Sequence, residues 1–125
     1  MIIGIGVDIV ETKRFSGAME RSGERFLLRL FTPDEQRYCK RYRDPVPHFA
    51  ARFAAKEAVF KALGTGWARG VTWLDVEVQK EGREAPKIVL HGEAQRLCAA
   101  MGVRNVHISL SHSDHWVVAM VILES

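Results

Sequence analysis

The first ten residues alternate between apolar and small or polar positions. The apolar positions are Ile3, Ile5, Val7 and Ile9, and the intervening ones are Gly4, Gly6 and Asp8. An alternation of period two predicts a strand with one apolar face and one nearly bare face. Glycine inside a strand often marks a place where a ligand or another backbone approaches closely, and the pattern leaves both alternatives open.

Helical patterns and their breaks fill residues 11–66. Residues 11–20 predict a helix, Ser22-Gly23 a break, and residues 25–31 a short further helix. A helix start is predicted at Thr32, an N-cap residue that Pro33 follows and that has Glu35 three positions later. This helix should run to about residue 42. After the interruption at residues 43–47, the longest helix extends to residue 63 and is ended by Gly64-Thr65-Gly66.

Two hairpins with a helix between them complete the chain. The first hairpin is predicted at residues 71–79 and 86–90, with its turn near Glu81-Gly82. The second is predicted at residues 106–113 and 116–123, with its turn at Asp114-His115. Residues 93–101 predict a helix that Gly102 stops. The order predicts a single compact α+β domain over residues 1–125, with a small, mostly antiparallel sheet packed against the long central helix.

Composition narrows the class of protein without naming a function. The net charge is +3 and the hydrophobic content is 47%, values of an ordinary globular chain. A nucleic-acid binder would need a stronger basic face. No apolar run is long enough to span a bilayer, and the N-terminus lacks the features of a signal peptide. Cys39 and Cys98 are too few and too far apart for a disulfide framework, so we expect a cytoplasmic protein.

The longest helix has two contrasting sides at about 100° per residue. Small apolar residues occupy one side, namely Ala51, Ala55, Ala58, Val59 and Ala62, and charged residues occupy the other, namely Arg52, Lys56, Glu57 and Lys61. A small-residue side allows close approach to a sheet. The charged side is then either a solvated surface with a Glu57–Lys61 pair or a rigidly placed functional face.

Asp8 is the second candidate for chemistry. It either caps the helix that begins near Glu11 or faces the longest helix. If Asp8 and Glu57 meet, they form a two-carboxylate site suited to Mg²⁺, which binds one or two carboxylates together with water and substrate phosphates. Arg52, Lys56 and Lys61 would then be phosphate partners.

A polar stripe follows one face of residues 106–113. It consists of His107, Ser109, Ser111 and Ser113, opposite Val106, Ile108 and Leu110. The stripe is either an edge that faces water or a surface for a phosphorylated ligand. Because no serine lies in a Gly-x-Ser-x-Gly setting, a hydrolase triad is disfavoured.

Three segments together resemble the small 4′-phosphopantetheinyl transferases. GIGVDIVE at residues 4–11 resembles the opening of that family, RFAAKEAVFKALGTG at residues 52–66 is similar to its central motif, and HISLSHS at residues 107–113 is similar to its third motif. The order and spacing agree over all 125 residues, and the length fits the bacterial holo-acyl-carrier-protein synthase branch.

The resemblance implies an enzyme that moves phosphopantetheine from coenzyme A to a serine of apo acyl carrier protein, with Mg²⁺ as cofactor and fatty acid synthesis as the pathway. Asp8 and Glu57 would bind Mg²⁺, and Lys61 would contact the diphosphate and support departure of the leaving oxygen. The implied contacts to coenzyme A are Arg52, Lys56, Lys61, His107, Ser109 and Ser111. The branch forms homotrimers with sites between subunits, so Arg52 or His107 would serve a site completed by another chain.

The same resemblance places the acidic carrier protein against the first helices. The implied docking positions are Arg14, Arg25, Phe26 and Arg29; a solvated basic helix is the alternative. A broad-specificity transferase of polyketide or peptide synthetases is disfavoured, because such relatives have about twice this length. A non-catalytic coenzyme A or nucleotide module is disfavoured because Asp8, Glu57 and Lys61 are all present.

Overall fold

Helices and strands are interleaved along the chain, of which the computed structural model describes residues 1–64 and 70–125. In chain order the elements are β1 (Ile2–Glu11), α1 (Thr12–Leu30), α2 (Pro33–Lys40), α3 (Val46–Leu63), β2 (Val76–Gln79), β3 (Lys87–Leu90), α4 (Gly92–Ala100), β4 (Asn105–His112) and β5 (Trp116–Glu124). A 3₁₀ turn at Trp73–Asp75 leads into β2.

The strands form two antiparallel sheets. The larger has the order β1-β5-β4, and β2 pairs with β3 in a separate hairpin. The first strand therefore pairs with the last, since Asp8 lies opposite Ala119 and Gly6 opposite Val121. This arrangement confirms the predicted α+β class with antiparallel strands.

Helix α3 packs against one face of the larger sheet, which we call the inner face. A Cβ atom built on Gly6 would lie 1.8 Å from the carbonyl oxygen of Ala58, and one built on Gly4 would lie 2.2 Å from that of Ala62. The glycines are therefore required by the backbone of α3, which decides between the two alternatives that the strand pattern left open. The inner-face residues of β5 are fully buried.

The opposite, outer face of the larger sheet is apolar and exposed. Its exposed apolar side chains come from β1 and β5 and are Ile5, Val7, Ile9, Trp116 and Met120. Their register confirms that they share one side, because Val7 lies opposite Met120 and Glu11 opposite Trp116. The alternation along β1 thus places its apolar side chains on the outer face and its glycines, Gly4 and Gly6, against α3.

Several local predictions are confirmed. Helix α1 is broken at Gly23, where φ is 56°. Thr32 and Glu35 form a capping box at the start of α2, which ends at Lys40, slightly earlier than predicted. Gly64 adopts a left-handed conformation after α3, with φ of 76°. The predicted stop also included Thr65 and Gly66, which lie outside the described residues.

The strand predicted over residues 71–79 is wrong in its first half. Only Val76–Gln79 is a strand. The Asp75 side chain accepts a hydrogen bond from the Thr72 backbone N–H at 3.1 Å, and the Asp75 N–H donates to the Thr72 carbonyl at 3.1 Å. These local bonds close a turn and compete with a strand ladder.

Two further observations bear on the expected class of protein. Cys39 and Cys98 are both buried and have free thiols. Among the described residues no helix combines the length and the apolar character needed to cross a bilayer.

Candidate active site

Asp8, on the inner face of β1, and Lys61, on α3, form an ion pair. The Lys61 ammonium donates to Asp8 Oδ1 at 2.9 Å and to the Val7 carbonyl oxygen at 3.0 Å. The Asp8 side chain is 15% exposed and that of Lys61 is 53% exposed. Asp8 therefore faces the helix that carries Glu57 and Lys61. The alternative that Asp8 caps α1 is wrong, since the N-cap position of that helix is Glu11.

Glu57 is the third member of this group. Its burial, and then the negative charge of Asp8, raise the pKa of the Glu57 carboxyl above its usual range, and the Lys61 ammonium opposes the shift. Glu57 precedes Lys61 by four residues on α3, so the two side chains lie on the same side of the helix, next to Asp8. The structure thus brings Asp8, Glu57 and Lys61 together at one position.

This donor set fits a hard divalent cation that keeps part of its hydration. Two neighbouring carboxylates, only partly neutralised by one ammonium, are the protein contribution typical of an Mg²⁺ site that also uses phosphate oxygens and water. Across residues 1–64 and 70–125 there is no group of three or more His, Cys, Asp or Glu side chains placed to hold a metal. Any ion here would need its remaining ligands from water or a bound phosphate.

The expectation that Lys56 lies on an exposed charged side of α3 is wrong. Its side chain is 0% exposed, and its ammonium donates to Glu35 Oε1 at 2.8 Å, to the Trp73 carbonyl at 3.0 Å and to the Val76 carbonyl at 2.7 Å. Burial lowers the pKa of Lys56, and the Glu35 carboxylate opposes that shift. Because all three donors are used inside the core, Lys56 has no proton left for a surface ligand.

Arg52 is also buried, but it borders a cleft. Its Nη1 donates to the His48 carbonyl at 3.2 Å, and its guanidinium carbon lies 4.1 Å from the centre of the Tyr38 ring. Within the described residues its Nε atom has no hydrogen-bond partner. A buried guanidinium with an unused donor is suited to an anionic ligand.

The cleft beside Arg52 has a volume of about 780 Å³. Its lining includes the predicted residues Arg52, Ser109 and Ser111, and also Tyr38, Tyr42, His48, Lys80 and His112. The rings of Tyr42 and His48 stack at 3.6 Å with an interplanar angle of 16°. Tyr38, Tyr42 and His48 are cleft residues that the sequence pattern did not indicate. The spacing of the tyrosines by four positions was the one signal, because the stack joins the segment after α2 to α3.

His107, Ser109 and Ser111 lie apart from Asp8. Ser109 is opposite Met120 and Ser111 is opposite Val118 on β5, so their side chains are on the outer face, whereas Asp8 is on the inner face. His107 is exposed and its Nε2 pairs with Glu124 Oε1 at 3.0 Å. Within one chain, the predicted site residues are therefore divided between the two faces of the sheet.

The predicted docking residues lie together on α1. Arg14, Arg25 and Arg29 are exposed, and Phe26 is partly buried, with its ring edge-on to Phe15 at 5.5 Å. The basic side chains are thus presented to solvent at both ends of a helix whose apolar side is anchored in the core.

Comparison with known proteins assigns the chain to a family. The model of the 4′-phosphopantetheinyl transferase superfamily matches residues 4–121. A holo-[acyl-carrier-protein] synthase of Koribacter versatilis is 50% identical over 124 residues, covering 99% of each chain. One of Solibacter usitatus is 44% identical over 125 residues, covering 100% of each chain.

Solved structures agree with this assignment. The holo-[acyl-carrier-protein] synthase of Neisseria meningitidis has a TM-score of 0.92 at 33% identity, with 100% of both chains covered. That of Bacillus anthracis, in complex with coenzyme A (3′,5′-ADP), has a TM-score of 0.82 at 37% identity and covers 100% of this chain and 98% of its own. The chain therefore belongs to the 4′-phosphopantetheinyl transferase superfamily, and within it to the holo-[acyl-carrier-protein] synthases.

Proposed function

We propose that this enzyme transfers 4′-phosphopantetheine from coenzyme A to a serine of apo acyl carrier protein, in an Mg²⁺-dependent reaction that serves fatty acid synthesis. The observation that carries the proposal is the meeting of Asp8, Glu57 and Lys61 at the junction of β1 and α3. The coenzyme A complexes of the Bacillus anthracis and Helicobacter pylori relatives support the choice of donor.

The reaction is a displacement at phosphorus. The serine oxygen forms a bond to the β-phosphorus of coenzyme A, and the bond from that phosphorus to the bridging oxygen breaks. The 3′,5′-ADP leaves with the electron pair of that bond, and the serine proton passes to Asp8, Glu57 or a water molecule. Asp8 and Glu57 would hold Mg²⁺, which when bound would supply positive charge to the diphosphate oxygens. Lys61, whose ammonium lies beside Asp8 and is half exposed, stabilises the departing oxygen as a positive charge.

Arg52 holds the nucleotide end of coenzyme A. Its buried guanidinium, with a free Nε, borders the cleft that Tyr42 and His48 also line. Lys56 is left out of this set because its donors are used in the core. On α1, Arg14, Arg25, Phe26 and Arg29 dock the acidic carrier protein.

We further infer a homotrimer in which the outer face of one chain is covered by another. The observation behind this inference is a group of exposed apolar side chains on one side of the sheet, a feature that marks interaction sites, namely Ile5, Val7, Ile9, Trp116 and Met120. In this assembly the cleft that Arg52, Ser109 and Ser111 line together, and His107 on the outer face, serve the coenzyme A site completed by a neighbouring chain's Asp8 and Glu57. We infer a cytoplasmic location from the proposed substrates, coenzyme A and a carrier protein.

The decisive experiment is intact-mass analysis of apo acyl carrier protein incubated with the enzyme, coenzyme A and Mg²⁺. We expect a mass gain of one phosphopantetheine, which EDTA and the Glu57→Ala variant abolish. Glu93→Ala is the matched control and should retain transfer. Among the described side chains, the Glu93 carboxylate on α4 pairs only with Arg96. Coenzyme A binding without transfer to any carrier would instead favour a binding module.

The pathway is tested by comparing carriers. We expect kcat/KM to be highest for the acyl carrier protein of fatty acid synthesis and much lower for carrier domains of polyketide and peptide synthetases. Equal rates on all of them would indicate a broad-specificity transferase.

A further inference from the structure

The buried pair of Lys56 and Glu35 joins three parts of the fold at one point. Both side chains are 0% exposed, and the ammonium donates to Glu35 Oε1, the Trp73 carbonyl and the Val76 carbonyl. An ammonium has three protons, so its hydrogen-bonding capacity is filled by acceptors of fixed position. Helix α3 is thereby tied to α2 and to the segment that leads into β2.

Glu35 is held as firmly as Lys56. Its Oε1 accepts from the Thr32 N–H at 2.9 Å, which closes the capping box, and its Oε2 accepts from the Val78 N–H at 2.9 Å. The carboxylate is therefore anchored to α2 and β2 independently of α3. It is a fixed point against which the position of Lys56 is set.

Lys56 directly precedes Glu57 on α3, and this adjacency couples the pair to the active site. Consecutive residues on a helix are about 100° apart around the axis, so fixing Lys56 also fixes the direction in which Glu57 projects. A rotation of α3 by about 20° would move a side-chain group at a radius of about 6 Å by about 2 Å. Displacements of this size are enough to reduce catalytic rates by about 100-fold.

Stability alone does not account for such a pair. Replacing a buried ion pair by apolar residues of similar size is often neutral or stabilising, because both charges lose their hydration on burial. The sheet side of α3 is fixed separately by the contacts of Gly4 and Gly6. The ion pair lies on another side of the helix and restrains its rotation against the sheet.

We propose that Glu35 and Lys56 are positioning residues, which set the rotation of α3 so that Glu57 and Lys61 face Asp8. This inference rests on the proposed function and deepens it. The family resemblance implied that Lys56 contacts coenzyme A. We infer instead that Lys56 acts indirectly, through its hydrogen bonds in the core.

The test uses Lys56→Met and the charge-free double variant Glu35→Gln/Lys56→Met in the full chain. Binding of Mn²⁺, as a probe of the carboxylate site, is titrated by electron paramagnetic resonance in the presence of coenzyme A, and kcat and KM are measured alongside. We expect Mn²⁺ binding at least tenfold weaker and kcat at least tenfold lower in both variants, with KM for coenzyme A changed less than threefold.

A stability-matched control separates positioning from general destabilisation. Leu97→Ala removes buried side-chain volume from α4, which supplies no hydrogen bond to the pair, and it should keep Mn²⁺ binding and kcat when assayed well below its unfolding temperature. The proposal is overturned if the Lys56 variants keep both values within twofold, if Leu97→Ala loses them equally, or if neither Lys56 variant folds. Absence of transfer by the wild-type enzyme would contradict the proposed function, while the Mn²⁺ titration would still test the positioning.

Discussion

Gly6 of β1 lies directly against the backbone of Ala58 of α3. A Cβ atom at Gly6 would lie 1.8 Å from the Ala58 carbonyl oxygen, well inside the sum of their radii. The backbone of the helix therefore rests directly on that of the strand. As a result Asp8, two residues after Gly6, lies beside Lys61, one turn after Ala58, and the ammonium–carboxylate distance is 2.9 Å.

Replacing Gly6 by alanine should remove this contact. The added methyl group meets backbone atoms of α3 on two residues, Ala58 and Ala62, which have no freedom to move away. We expect Gly6→Ala to lower the free energy of unfolding by about 3 kcal/mol, measured by urea denaturation.

Gly17→Ala is the control for that experiment. Within residues 1–64 and 70–125, a Cβ atom at Gly17 meets only the Arg21 guanidinium at 3.3 Å, which is the flexible end of an exposed side chain. Because alanine is the better helix former, this variant should be more stable by up to about 1 kcal/mol. Equal effects of the two substitutions would contradict the role assigned to the close approach.

A charge on the outer face should dissociate the proposed homotrimer. Met120→Glu places a carboxylate at a position that is 42% exposed, among the other exposed apolar side chains of this face. We expect sedimentation analysis to show a folded monomer with reduced transfer activity.

Leu28→Glu serves as the comparison for assembly, since Leu28 is also apolar and exposed, at 61% against 42% for Met120, but lies on α1. It should leave the oligomeric state unchanged. A Met120→Glu protein that sediments as the wild type would rule out this face as the interface.

Reversing charge on α1 should weaken carrier docking. Arg14→Glu/Arg25→Glu changes two exposed residues, so the fold should be retained. We expect KM for apo acyl carrier protein to rise at least tenfold, with KM for coenzyme A unchanged, because an acidic partner now meets like charge.

The control is Arg83→Glu/Arg96→Glu, which changes the net charge by the same amount at exposed sites outside α1. This double variant should keep the wild-type KM for the carrier. If both double variants raise it equally, the attraction is a property of overall charge and the docking surface is not on α1.

Protonation of His48 should destabilise the fold. Burial, and then the Arg52 charge, lower the pKa of His48 below its ordinary value of 6.5. As pH falls through 6.5 the unfolded chain takes up a proton first, so stability is present above that pH and is lost as pH falls toward the lowered pKa of the folded protein.

Urea denaturation between pH 7 and about 5 measures this loss. His48→Phe retains a ring against Tyr42 without a titrating group and should flatten the pH dependence. His115→Gln, at an exposed histidine, should leave it as in the wild type. A slope unaffected by His48→Phe would assign the loss to other groups.

Features set by neighbours along the chain were predictable. The capping box of Thr32 and Glu35, the break at Gly23 and the helix stop at Gly64 follow from local hydrogen bonds and backbone preferences. The strand over residues 71–75 was mispredicted for the same kind of reason, because a local Thr72–Asp75 turn overrode the apolar pattern.

Features that depend on which elements meet were not predictable. The sequence places Lys56 beside Arg52 and Lys61 on a charged side of α3, but the fold surrounds it with carbonyl groups and Glu35. A helical wheel describes one helix alone and contains no information about acceptors on other elements. Tyr42 and His48 stack for the same reason, across an interhelical connection.

The sequence by itself determined the family, the α+β class and the residue types of the site, since the three motifs and their spacing are properties of the chain. Only the tertiary structure decided that Asp8, Glu57 and Lys61 meet on the inner face while His107, Ser109 and Ser111 lie on the outer one. The physical reason is the pairing of the first strand with the last. Its register assigns every side chain to a face, and register is set by contacts between residues more than 100 positions apart.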